Sequence, residues 1–393
     1  MKTIRIGIIG LGGAARQMVP AFVKHGGFKI AAGADIDGEV LSAYEKDFGA
    51  VVSSDPADVF NNTDVDAVYI ATPNPLHAPQ TEMALDCGKH VLLEKPMALT
   101  MDDALRMCRS ADDKGLRLLI NEPYSFTPAL RTIRDIVTGG EYGPLRMVHS
   151  WIYNDWLYRP RTPDELNPDM GGGVLYRQGP HQFDLLRMIG GGMVRSVRGV
   201  GGMWDPSRPV PGSYSVFMEF ADGAVATAVY NGYDRLHTVD FALRSIEENP
   251  AVGRRAYARS RKALLKTRSP EDEEAAKRAR RYGSGWTEPG GGGNLEWLFT
   301  GLTVASCDGC DILLGPEGLS LMTNEESRQL PLPADVTGRD SIASQLYDAV
   351  IKGEAPGSTG WWGAATLEVS LAAIQSAEDH QEISLAHQLP PYA

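Results

Sequence analysis

The sequence predicts an α/β fold: an N-terminal doubly wound, Rossmann-type parallel sheet, then an α+β domain with a mainly antiparallel open sheet. Three features predict it. Short apolar runs alternate one for one with helical patterns through the first 120 residues. A glycine-rich turn, Gly10-Leu-Gly12-Gly13-Ala14-Ala15, follows the first run and opens the first helical pattern. After residue 123 the alternation stops, and strand-like runs follow one another.

The runs IRIGIIG, FKIAAGAD, VDAVYIAT, HVLLEKP and LRLLIN are apolar along their length, as parallel strands buried on both faces require. Helical patterns lie between them at 13–25, 38–48, 76–87 and 100–114, the last opened by Thr100-Met-Asp-Asp103, a near capping box. Residues 1–123 are therefore expected to form a dinucleotide-binding domain, and 124–393 a substrate-binding and oligomerisation domain. There a helix at 128–138 precedes the strand-like LRMVHSWIY, VRSVRGVGGMW, YSVFMEF and AVATAVYNGY, and Asp222-Gly223 marks a hairpin. Helices near 340–352 and 362–379 end the chain. Residues 253–294 are rich in Arg, Lys and Glu and end in a four-glycine run. They read as a solvated, charged insertion, or alternatively as a basic patch for a polyanion.

Bulk properties exclude several classes. With 393 residues, 43% of them hydrophobic, core material suffices for two domains. A net charge of −12 argues against nucleic-acid or anionic-membrane binding. No stretch reaches the roughly 20 apolar residues of a membrane span. The apolar N-terminal run carries no small-residue cleavage site, so it reads as a strand and the protein as cytoplasmic. The cysteines, Cys87, Cys108, Cys307 and Cys310, suit reduced thiols. Cys307-Asp-Gly-Cys310 has the spacing of half a zinc knuckle, but without a second pair it reads as a hairpin turn at Asp308-Gly309, and no metal is expected.

The glycine-rich turn points to a dinucleotide. Gly10 permits the tight turn, Gly12 lets backbone approach a pyrophosphate, and Ala15 keeps the helix close to the sheet. The amides of the helix start, at Gly13 and Ala14, face the anion. Asp35 ends the second run, where a carboxylate holds ribose hydroxyls and repels a 2′-phosphate; the next residue is Ile36, not Arg. NAD is the expected cofactor.

Thr72-Pro73-Asn74 with His77, then Glu94-Lys95-Pro96, follow two further strand-like runs, at the sheet end where such folds bind ligands. In this order, with the fingerprint, they resemble the glucose–fructose oxidoreductase/inositol dehydrogenase (Gfo/Idh/MocA) family over nearly the whole chain. YRPRTPDEL, GGGVLYRQGPHQFDLLR, WDPSRP and TAVYNGYD look closest to its phthalate 4,5-cis-dihydrodiol dehydrogenases. The resemblance implies a nicotinamide between the two domains, with Thr72, Pro73, Asn74 and His77 lining the cofactor, Glu94 facing the nicotinamide ribose, and Lys95, before an often cis proline, reaching the substrate. It also implies pairing through the open sheet face, hence a homodimer or homotetramer.

One departure stands out. Sugar-oxidising members carry an Asp four residues before the histidine equivalent to His181; here that residue is Arg177. An Arg near Lys95 would lower the amine's pKa and offer a planar fork to a carboxylate. Arg177 is therefore expected to bind a substrate carboxylate, with Arg159 or Arg161 as second contact. The aromatic residues around Trp156 and Tyr158 read either as a flat-ring pocket or as core.

These readings predict an NAD-dependent dehydrogenase for a carboxylated cyclic secondary alcohol, best guessed as a phthalate cis-4,5-dihydrodiol, with Lys95 or His181 taking the hydroxyl proton. The alternatives are a sugar or cyclitol dehydrogenase of the same family and a non-catalytic nucleotide-sensing regulator.

Overall fold

The computed structural model describes residues 2–242, 259–267, 269–285, 300–315, 318–333 and 336–391. The first apolar run becomes β1 (Ile4–Ile9), with parallel neighbours on both sides. The sheet comprises β1, β2 (Phe28–Ala34), β3 (Val51–Ser53), β4 (Ala67–Ile70), β5 (His90–Glu94) and β6 (Leu118–Asn121). Its order, β3-β2-β1-β4-β5-β6, reverses direction between β1 and β4, the switch point where such sheets open a crevice. Helices α1 (Gly13–His25), α2 (Gly38–Phe48), α3 (Pro56–Phe60), α4 (His77–Asp86) and α5 (Met101–Asp113) connect the strands. Thr100 caps α5 by accepting from the Asp103 amide, as its near capping box predicts. The sequence reading passed over β3 and α3, which are too short to display a period.

The second layer begins with α6 (Pro128–Gly139) and β7 (Leu145–Tyr153). Two helices follow, α7 (Val174–Arg177) and α8 (Gly179–Ile189). Next come β8 (Val194–Gly202), β9 (Ser213–Phe220) and β10 (Val225–Asn231); β9 and β10 form the hairpin expected at Asp222-Gly223, where Gly223 has φ +89°. Among the described parts of the insertion are α9 (Arg259–Leu264) and α10 (Pro270–Arg278); its four-glycine run lies outside the described residues. β11 (Leu302–Cys307) and β12 (Cys310–Gly315) turn at Asp308-Gly309, with Cys307 and Cys310 as free thiols. β13 (Gly318–Thr323), β14 (Ser327–Leu330), α11 (Gly338–Tyr347), α12 (Gly360–Asp379) and β15 (Ile383–Ser384) complete the described elements.

The nine-stranded sheet has the order β14-β13-β12-β11-β7-β10-β9-β8-β15 and is antiparallel except where β10 meets β7. Its inner face shares one core with Leu130 and Ile133 of α6, Phe183 and Leu186 of α8, and Val369 of α12. The chain end also returns to the nucleotide-binding half: Ile342 and Leu346 of α11 pack with Met18 and Phe22 of α1, and Ala364 and Leu367 of α12 with the other side of the first sheet. The domains are thus stapled together by helices that begin after residue 337.

A buried polar knot aligns α8 with α12. Arg187 stacks 3.9 Å over the Trp362 ring and donates to Thr366 Oγ1 at 2.7 Å, while Trp362 Nε1 donates to Asp184 Oδ1 at 2.6 Å. Burial raises the Asp184 carboxyl to about 6 and lowers Arg187 to about 10. Removing the guanidinium leaves a buried acid uncompensated. Arg187→Met should therefore destabilise the fold by roughly 3 kcal/mol; an unchanged denaturant midpoint would show that the knot does not hold the domains in register.

Candidate active site

At the carboxyl ends of β1 and β4, Gly10 has φ +84°, and a Cβ there would stand 2.8 Å from Ala71 O. Only glycine fits that turn. At Gly12 a Cβ would meet nothing within 4 Å, and no side chain caps the start of α1. Open space above uncapped amides suits a pyrophosphate. Asp35 closes the far corner, accepting from the Leu11 amide at 2.6 Å and the Asp37 amide at 3.0 Å. The residues present fit a dinucleotide.

Between the two sheets lies a cleft of about 360 Å³ that runs from Gly13 and Ala14 to Glu94, Lys95 and His181. Lys95 follows β5 and precedes a cis peptide at Pro96; its Nζ donates to Arg177 O, in the other domain, at 2.9 Å. Tyr69, and Asn121 at 2.5 Å, donate to Glu94 Oε1 and so aim that carboxylate. His181, in the first turn of α8, sets Nδ1 2.6 Å from Glu122 Oε2. Glu122 is 2% exposed, and its Oε1 has no hydrogen-bond partner among the described residues.

This triad shares few protons. Burial pushes Glu122 up to about 8, opposed by the neighbouring Lys95. Burial also lowers the Lys95 amine, opposed by Glu94 and Glu122 and assisted by Arg177. His181 falls well below its ordinary value through burial and the Lys95 charge, so its ring is neutral. An amine of lowered pKa, a neutral imidazole and a carboxylate able to hold a proton are the components of general-base chemistry.

The cleft wall is cationic. Arg16 and Lys95 line it from the nucleotide-binding half, Arg159, Arg161 and Arg339 from the rest of the fold, and Lys277 and Arg280 from the insertion; Glu94 is the one carboxylate among the described lining residues.

A model of an oxidoreductase family with an NAD-binding Rossmann fold matches residues 4–122, and a model of the GFO/IDH/MocA C-terminal domain matches 130–244. This chain belongs to the Gfo/Idh/MocA oxidoreductase family. It is similar to a 1-carboxy-3-chloro-3,4-dihydroxycyclohexa-1,5-diene dehydrogenase from Comamonas testosteroni, 34% identical over 95% of this chain and 94% of that protein. A solved dehydrogenase from Bordetella bronchiseptica RB50 superposes with a TM-score of 0.86 at 30% identity, covering 98% of this chain and 100% of that one. Levoglucosan dehydrogenase in complex with NADH and levoglucosan shares the fold, with a TM-score of 0.75 at 18% identity over 98% of this chain and 99% of that one.

Within the family frame, several expected site residues stand elsewhere. The Arg177 guanidinium does not face the cleft: Nε donates to Gly171 O at 3.0 Å, Nη1 to Asn74 Oδ1 at 3.1 Å, and Nη2 pairs with Asp164 at 2.7 Å. Its carbonyl, not its fork, serves the site. The three-glycine turn explains why. A Cβ at Gly171 would stand 2.6 Å from Leu99 and 3.1 Å from Asn74 Nδ2, so the turn packs directly on the cofactor loop and takes Arg177 with it. His77 is likewise a brace: 1% exposed, its ring nitrogens lie 2.8 Å from Pro96 O and 2.9 Å from Thr72 O, tying the Thr72-Pro73-Asn74 loop to the Lys95 turn. Trp156 and Tyr158 are core, lying beneath Arg161 at 4.0 Å and Arg261 at 3.8 Å. Arg159 and Arg161 do line the cleft; Arg161 donates to Trp156 O and Glu165, and Arg159 pairs with Asp155.

The sequence reading missed Glu122, Lys277, Arg280 and Arg339. Glu122 carried a usable signal, because it directly follows the run LRLLIN just as Lys95 directly follows the neighbouring strand β5. The other three lie in helical or charged stretches whose neighbours are distant in sequence.

Two outcomes follow from this geometry. Glu122 raises the Lys95 pKa, so Glu122→Gln should lower it further and move the acid limb of the kcat–pH profile down by about a unit or more, with a smaller kcat; a stationary or upward-moving limb would uncouple the two groups. Arg177→Ala should impair charged and uncharged substrates alike and raise KM for the nucleotide, since it releases Asn74. A loss confined to carboxylated substrates would restore the clamp that the structure removes.

Proposed function

We propose that this oxidoreductase is an NAD-dependent dehydrogenase of a carboxylated cyclic diol, with a cis-dihydrodiol of the phthalate 4,5-type as the leading substrate. The observation that carries the reading is the cleft in which six further cations stand with Lys95 beside Glu122 and His181, in a chain of net charge −12. Cations so concentrated favour an anionic substrate. The carboxylated dihydroxycyclohexadiene named for the Comamonas relative supports the same class.

A bound nicotinamide supplies the hydride acceptor; the chain's own residues supply the rest. Glu94, aimed by Tyr69 and Asn121, would face the nicotinamide ribose. The Lys95 amine, anchored on Arg177 O, takes the hydroxyl proton as the carbinol C–H is oxidised. His181 sits beside it as the second acceptor, with Glu122 fixing its ring and able to hold a proton. The hydroxyketone then enolises, a ring C–H proton leaving and the carbonyl oxygen gaining one, to give a catechol, and aromatisation makes the oxidation favourable. Arg159, in the cleft and only partly covered, contacts a substrate carboxylate.

Asp35 supports NAD over NADP, and Ile36, 95% exposed beside it, offers no cation to a 2′-phosphate. Arg281 reaches that corner but is already paired with Asp37 and Glu39. Exposed Met147 and Trp151 on β7, Phe217 on β9 and Val200 on β8 give the open sheet face an apolar character that suits a homodimer or homotetramer.

The deciding experiment assays carboxylated dihydrodiols, sugars and cyclitols for NAD reduction. Turnover of neutral sugars or cyclitols with none of the carboxylated diols would select the commoner family chemistry; nucleotide binding with no turnover on any panel would select a sensor. NAD should exceed NADP in kcat/KM by about tenfold or more, roughly 1.4 kcal/mol, and Asp35→Ser should narrow the gap. A wild-type preference for NADP would reverse the cofactor assignment.

A further inference from the structure

The described part of the charged insertion is not a solvated appendage. Among its described residues, α9 docks on the substrate side: Ser260 donates to Asp155, the Arg261 amide donates to Asp234 Oδ2 at 2.7 Å, and the Arg261 guanidinium covers Tyr158. Glu273 of α10 accepts from the Arg161 amide at 2.8 Å and pairs with Arg208 at 2.8 Å. The turn after α10 crosses to the nucleotide side, where the Tyr282 amide donates to Leu11 O at 3.2 Å and its ring packs on Tyr44 and Phe48. The segment from 270 to 285 therefore spans both domains and forms one wall of the cleft, placing Arg280 near Gly13 and Lys277 near Arg161.

Lys277 differs from Arg161, its neighbour on the substrate side. Arg161 is buried, with its fork on Trp156 O and Glu165. The Lys277 side chain keeps 34% of its surface, and its Nζ donates at 2.9 Å to both oxygens of Glu165. An ammonium has three protons, so one remains for a ligand. Glu165 carries two cations, Arg161 and Lys277, and one carboxylate cannot neutralise both. Burial and the Arg161 charge bring the Lys277 amine down to about 8, as expected where positive charge is in excess. Glu165 also lies within electrostatic reach of Lys95, so this excess sits beside the reacting end of the cleft.

We propose that Lys277, carried into the cleft by the insertion, is the specificity-determining contact for a substrate carboxylate. A pyrophosphate would bind at the start of α1, where Arg280 stands against Gly13, whereas Lys277 stands with Glu165 and Arg161. The inference rests on the carboxylated-substrate reading above and adds the element that recognises the charge.

The test measures phthalate binding to the protein–NADH complex by calorimetry, the bound nucleotide keeping phthalate from the pyrophosphate site. Lys277→Met should weaken phthalate by about tenfold or more, the size of one charge-assisted bond, while NADH affinity stays within about twofold on the same scale. Lys277→Arg should recover most of the loss. Lys277→Gln, which still donates to Glu165, should lose as much as the Met variant and guards against a folding defect. Unchanged phthalate affinity, or equal weakening of NADH, would overturn the proposal and leave Lys277 a brace between the domains. The two readings fail separately. A wild type that binds phthalate through Lys277 yet oxidises no carboxylated diol would sink the substrate assignment alone. A wild type that oxidises such diols with Lys277→Met equally active would sink this subsite alone.

Discussion

An amine withdrawn from water must find an acceptor or lose its charge. Lys95 finds one across the domain boundary, in the Arg177 carbonyl, and the site depends on that bond. It requires β5 of one domain and α7 of the other to meet at hydrogen-bond distance. The three-glycine turn supplies the close approach, and the Arg177 guanidinium locks the turn to Asn74 and Asp164. His77 holds the cofactor loop to the same turn from below. The domain interface and the catalytic constellation are thus a single packed object.

Arg177 stands where the family resemblance implies an acid, and the structure meets His181 with a carboxylate from another element. The carboxylate expected beside His181 comes from Glu122, at the end of the neighbouring strand β6. Glu122 lies where parallel strands deliver their terminal residues, so the sheet provides the acid without the α7 turn having to carry it. Arg177, relieved of chemistry, serves alignment.

Charge is distributed with the same economy. The chain is acidic as a whole, yet its cleft is cationic, and two of those cations arrive with the insertion. Acids on the rest of the fold hold this stretch in place, Glu165 for Lys277, and Asp37 with Glu39 for Arg281, the residue after Arg280. Tethers to both domains make the wall part of the site's shape, and they give the alternating Arg and Glu of that stretch a purpose that composition alone does not reveal.

Periodic and glycine-dependent features were legible in the sequence. Fully apolar runs announced buried parallel strands, and the order of Gly10, Gly12, Ala15 and Asp35 announced the nucleotide end, because a turn, a close approach and a ribose contact each demand one residue type at one spacing. Lys95 and His181 were singled out through the family resemblance, and the structure places both on the cleft. Side-chain direction was not legible. Whether Arg177 points into the cleft or away, whether His77 lines or braces, and whether Trp156 stacks a substrate or an arginine depend on partners 103, 19 and five residues away that no periodicity links to them. So does Lys277, which becomes a cleft residue only because Glu165, 112 positions earlier, is there to hold it. Sequence by itself determined the elements and the cofactor's place; tertiary packing decided which charged side chains reach the substrate, since a long cation's direction is set by the nearest acid in space and not by its neighbours along the chain.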